Sequence, residues 1–164
     1  MEKKPIKRNR HIVKLSRDHH FALLFCWKIR TGLKLEVDTG RIKNYVYYFW
    51  QYHMQPHFWQ EETILFAPVK DAEVQKAIDD HKQINQLIKA LNTSGQEDAA
   101  QLTQLADTVE NHVRYEERSL FPHLEKVLAE DELENIEKQL AEQNNAAVSD
   151  DFADRFWVRK ESIS

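Results

Sequence analysis

Four stretches of this chain place apolar side chains at steps of three and four residues, and that period commits the chain to helices. The first stripe runs Ile12, Leu15, His19, Ala22, Cys26, Ile29 and Leu33; the second runs Ile42, Val46, Phe49, His53, His57, Glu61, Ile64 and Leu65. The third carries Val74, Ile78, His81, Ile84, Ile88 and Leu91, with Asp71 placed to cap it. The fourth carries Leu102, Leu105, Val109, His112, Glu116 and Leu120. Three glycines and four prolines in 164 residues leave few breaks, which favours long helices over many short strands. Gly32, Gly40, Gly95, Pro5 and Pro68 fall near the expected connections. The pattern predicts an all-α fold, an antiparallel up-down-up-down four-helix bundle over residues 10–128. A basic arm, residues 1–9, precedes it. Residues 129–164 are expected to form a short extra helix, in DELENIEKQLAEQ, and a C-terminal tail.

A chain of this length suits one domain with a proper core. Its net charge of −4 argues against nucleic acid as the main partner. No apolar run approaches the roughly 18 residues that span a bilayer, and nothing resembles a secretory leader. The expectation is a cytoplasmic protein with neither nucleic acid nor membrane as partner. The single Cys26 excludes an internal disulfide and a cysteine-based zinc or iron–sulfur site. Phe152, Phe156, Trp157 and Val158 make the tail too apolar for solvent alone, so it should fold back on the bundle; a protein partner could also dock through it.

Polar residues interrupt the apolar stripes in a repeated way. HFWQEETILF, residues 57–66, and HVRYEERSLF, residues 112–121, both read His, three residues, Glu-Glu, two residues, Leu-Phe. A histidine and a glutamate four apart share one helical face, roughly 5–6 Å apart at Cβ. Counting along the helices puts His19, His57, Glu61, His81, His112 and Glu116 at one level on the axis of the bundle. Burying isolated carboxylates there would cost several kcal/mol each. Two cations bridged by the glutamates remove that cost. Imidazole and carboxylate donors without thiolate suit iron, with manganese or zinc as substitutes. The Glu-x-x-His spacing of ferritin-like di-iron bundles is absent.

From about residue 10 to 128 the chain resembles the hemerythrin family, in its bacterial HHE cation-binding branch. The resemblance rests on LSRDHHFALL, HFWQEETILF, the histidine of DDHKQI, and HVRYEERSLFP. It implies a non-haem di-iron centre with two bridging carboxylates that reacts with oxygen, nitric oxide or peroxide, or handles iron for repair. His57, Glu61, His112 and Glu116 match the two His-Glu pairs, and His19 and His81 match the ligands of the first and third helices. The chain departs from oxygen-carrying members in two places. Asn85 stands where they carry a second histidine, and Glu116 lies four residues after its histidine where they use an aspartate at five. If both irons are six-coordinate, four histidines, two bridging glutamates and a bridging oxygen then leave one open position on each iron. The alternative is an oxygen or redox sensor or store without turnover, and whether the chain is an enzyme stays open. A metal-free helical interaction module is a third class.

His53, Asn85 and His20 are candidates for contacts behind the ligands. His20 turns about 100° from His19, and His53 stands one turn before His57. Pro56 should kink its helix and Pro122 should end or kink the fourth. Glu62 and Glu117 are expected on a solvated face. Tyr45, Tyr48, Tyr52 and Tyr115 could donate to a bound diatomic, though each is also an ordinary packing aromatic. His11 and His123 are expected at the surface, and Trp27, Trp50 and Trp59 in the core or its rim. The two halves of the chain look like duplicates, which accounts for the repetition.

Overall fold

A computed structural model of the protein describes residues 9–91, 97–143 and 150–159. Residues 1–8 of the basic arm, with Pro5, and Gly95 lie outside the described residues. What is described is all helix and turn, with no strand. Helix α1 spans Val13–Lys34. A second rod, residues 39–65, is built of α2 (Thr39–Phe49), a π-helical turn at Trp50–Met54, α3 (Gln55–Gln60) and a second π turn at Glu61–Leu65. Helix α4 spans Ala72–Ala90. A fourth rod, residues 98–127, joins α5 (Asp98–Tyr115), a π turn at Glu116–Leu120 and α6 (Phe121–Val127). Helix α7, Glu130–Glu142, follows. No helix among the described residues is long and apolar enough to cross a membrane.

The prolines are absorbed without a break. Two π turns begin six residues before a proline, Trp50 before Pro56 and Glu116 before Pro122. Proline lacks an N–H and its ring crowds the carbonyl four residues back. Those carbonyls belong to Tyr52 and Arg118, inside the π turns, where the wider i to i+5 bonding gives the ring room. The helix widens locally ahead of Pro56 and Pro122 and continues past both, so it does not end at Pro122. The third π turn is closed by the Phe66 N–H donating to the Glu61 carbonyl at 2.7 Å.

The apolar stripes pack into two clusters. One gathers Phe25, Ile29, Tyr45, Phe49, Ile84 and Leu105; the other gathers Leu15, Leu65, Val74, Phe121 and Leu124. Helix α7 adds Leu133, Ile136 and Leu140 to the second cluster. Asp71 caps α4, its side chain accepting from the Val74 N–H. The tail returns to the first cluster. Phe156 is buried there, and Asp150 pairs with Lys28 at 3.0 Å and accepts from the Tyr45 hydroxyl at 2.5 Å.

This packing overturns one expectation and sharpens two others. Gly32 lies in the last turn of α1, near the expected connection, and a Cβ there would stand 2.7 Å from the Phe156 ring, so the tail packs best over a glycine. His11 is buried, not at the surface, because α7 brings Glu130 and Glu137 onto its ring. Trp27 and Trp59 are 52% and 51% exposed, which leaves the rim of the two expected places and not the core.

Candidate metal centre

The six expected donors meet where the two apolar clusters join. Helix α1 brings His19 and α4 brings His81, while His57 and His112 sit on α3 and α5 one turn before Glu61 and Glu116. All six are buried, and both glutamates are fully so. His19 stacks on Phe121 with ring centres 5.2 Å apart, and His81 lies on Phe58 at 3.8 Å, one from each cluster. Both glutamates open a π turn. Each carboxylate thus leaves the backbone where an extra residue has shifted the helical phase, a recurrent device at functional sites.

The donor atoms fall into two groups that share both carboxylates. His19, His57, Glu61 and Glu116 form one; His81, His112, Glu61 and Glu116 form the other, and within each the donor atoms lie within 4.8 Å of one another. His19 Nε2 is 3.3 Å from Glu116 and 3.8 Å from Glu61. His57 Nε2 and His81 Nε2 approach Glu61 at 3.3 and 3.1 Å, and His112 Nε2 approaches Glu116 at 2.7 Å.

Behind this ring stands a second one. Every imidazole turns Nδ1 to a carboxylate: His19 to Glu117 at 2.7 Å, His57 to Asp18 at 3.0 Å, His81 to Glu62 at 2.9 Å and His112 to Asp80 at 3.0 Å. Such a partner accepts a hydrogen bond from Nδ1–H, fixes the tautomer and leaves the Nε2 lone pair aimed inward. Lys14 in turn holds Asp18 at 2.9 Å, Lys76 holds Asp80 at 3.1 Å, and the Ser16 hydroxyl donates to Glu117. Glu62 and Glu117 therefore do not belong to a merely solvated face. The pairing also obeys the internal repeat. Asp18 and Asp80 each serve the next rod of their own half, while Glu62 and Glu117 each serve the other half. The signal was present in the sequence, since an aspartate precedes both His19 and His81 and both motifs carry a doubled glutamate.

Electrostatics show the cluster to be built for added positive charge. Burial disfavours the imidazolium form of His19, but Glu116 and Glu117 outweigh it and raise the group to about 10. Burial likewise opposes charge on His57 and His112, yet Glu61 with Asp18, and Glu116 with Asp80, raise both to about 9. Burial would lift Glu116, but the neighbouring His112 holds it well below the usual carboxylate range. Even so, His19 Nε2, His57 Nε2 and all four carboxylate oxygens of Glu61 and Glu116 lack a hydrogen-bond partner. Buried polar atoms left so cost about 1–3 kcal/mol each, more when charged. Imidazole and carboxylate lone pairs directed at common points fit a cation.

The other candidates fall outside this ring. His20 is exposed and meets Phe21 edge-on, away from the donors. Asn85 is half-buried, one turn beyond His81, and belongs to neither donor group. His53 stacks on Phe49 and lines a cavity of about 510 Å³ that leads from exposed Arg17 and Tyr52 to His57, His112 and Glu116. The tyrosine hydroxyls are mostly committed elsewhere. Tyr45 donates to Asp150, Tyr48 to Asp151 and Tyr115 to the Glu73 carbonyl, so Tyr52 alone of the four lines the cavity. His123 is half-exposed and pairs with Asp71 at 2.8 Å.

Neither the curated proteins nor the solved structures yielded a match to this chain. The family model for the hemerythrin HHE cation binding domain matches residues 11–124, a span that holds all six donors and all four carboxylates behind them. By that match the chain belongs to the hemerythrin family of cation-binding domains.

Proposed function

We propose that the chain holds two irons, one between His19 and His57 and one between His81 and His112, with Glu61 and Glu116 shared by both. The observation that carries this reading is the pair of four-donor groups with both carboxylates in common. Charge supports the number. Six carboxylates surround four imidazoles that must be neutral at Nε2 to bind metal, and two divalent cations together with Lys14 and Lys76 match those six negative charges. Bound iron would supply one-electron redox chemistry and affinity for oxygen, nitric oxide or peroxide, and we propose these as the small ligands; manganese or zinc could occupy the same donors. Glu62, Asp18, Asp80 and Glu117 hold the imidazoles in one tautomer, and Phe58 and Phe121 exclude water from two of the rings. Asn85 adds no fifth histidine to the set.

The up-down-up-down order over residues 10–128 belongs to the same proposal. It is supported by α1 packing along α5 and α4 against α5, and by the Asp18–His57 and Glu62–His81 contacts between consecutive rods. Elemental analysis of protein produced with ample iron is expected to give two irons per chain. One transition metal or fewer would reject the proposal.

A further inference from the structure

The cavity beside the centre is far larger than a diatomic ligand needs. Its volume is about 510 Å³, against roughly 30 Å³ for one water in the liquid, and sites for organic molecules run from about 300 to 1,000 Å³. The inner end is closed by His57, His112 and Glu116, so an occupant lies against the proposed metal-holding groups. One wall is apolar, with Phe49, Met54, Phe58 and Val109 each at most 7% exposed, while Asp18 and Gln60 also line the cavity, both held by Lys14. The outer end carries two cations of different standing. Lys14 is engaged by Asp18 and Gln60, whereas exposed Arg17 forms no ion pair among the described residues. On the wall between, the Nε2 of His53 is buried without a hydrogen-bond partner, its ring stacked with Phe21 and Phe49.

We propose that this cavity binds an organic anion with an apolar body, of the size of a medium-chain or aryl carboxylate. Its body lies along the Phe49–Val109 wall and its charged group meets Arg17. An apolar wall some way deep with one spare guanidinium at the mouth selects that chemistry, since a neutral apolar molecule gains nothing from Arg17 and a small polar anion gains nothing from the wall. The proposal rests on the metal-centre reading for its meaning, because an occupant there becomes substrate or effector of the centre. Binding itself needs only the cavity.

Decanoate and decanol, titrated calorimetrically into metal-loaded and metal-stripped protein, separate the two readings. Decanoate should bind once per chain to both forms, and decanol about tenfold more weakly. Arg17→Ala, at an exposed position, should bring decanoate down to the level of decanol. Ala22→Trp, which fills the cavity from a half-buried position, should remove decanoate binding while metal content persists; melting temperature reports whether it folds. Absence of saturable decanoate binding to fully metal-loaded protein would overturn the proposal, as would binding unaffected by both substitutions. A chain that takes up no metal yet binds decanoate would sink the metal-centre reading alone.

Discussion

At the scale of single residues, the centre depends on which nitrogen each imidazole offers. Nδ1 is taken by a carboxylate in all four histidines, so Nε2 is committed to the interior. His19→Ala should therefore lose metal while His20→Ala, at an exposed neighbour, keeps it; metal content per chain decides, and the reverse result would place α1 in the wrong rotation. Removing a carboxylate behind a ligand typically weakens metal binding about 10- to 100-fold. Glu117→Ala is expected to fall in that range in a chelator competition, and Glu117→Gln to fall less, since its amide oxygen still accepts from Nδ1. Equal affinity for Glu117→Ala and the parent would mean that His19 is oriented by packing on Phe121 alone.

At the scale of elements, α7 and the tail are held by contacts that titration and substitution can loosen separately. Glu130 and Glu137 contact His11 from α7 and raise its pKa above the ordinary 6.5, the Glu130 hydrogen bond being the largest cause. A raised folded value stabilises the folded state in full below 6.5, and that gain is lost as pH rises through the higher folded value. The melting temperature of the parent should exceed that of His11→Gln most near pH 6, and the gap should close in alkaline solution. A gap independent of pH would show that the contact is not ionic. The tail depends on Gly32 in another way. Gly32→Ala sets a methyl against the Phe156 ring, and overpacking of this kind costs typically about 1–3 kcal/mol. Limited proteolysis should then cut near residues 150–159 faster than in the parent, and an unchanged cleavage rate would show that the ring simply moves aside.

At the scale of the whole molecule, a buried band of carboxylates and imidazoles between two apolar clusters ties folding to the cation. A ligand present at 100 times its Kd stabilises by about 2.7 kcal/mol, and each kcal/mol moves the melting point of a chain this size by roughly 2–4 °C. Stripping the metal is expected to lower the melting temperature by at least about 5 °C by calorimetry. No change after verified removal would mean that the protons on His19, His57 and His112 satisfy the core unaided. Much of this was determined by the sequence itself. The three- and four-residue stripes dictate helices, because only that period buries one face, and the repeated His-x-x-x-Glu places each donor pair on one side of a turn. The family follows from the same motifs. Other features were decided only by tertiary structure. The roles of Asp18, Glu62, Asp80 and Glu117 depend on which helix stands opposite, and a side chain's own period says nothing about a partner on another rod. His11 reads as a surface residue until α7 covers it, and the closeness of Phe156 that favours glycine at position 32 is visible only once the tail is in place. The π turns at Glu61 and Glu116 shift phase by one residue, which a periodic pattern averages over. Local period reports the face a residue occupies; what meets that face is settled by chain segments dozens of residues away.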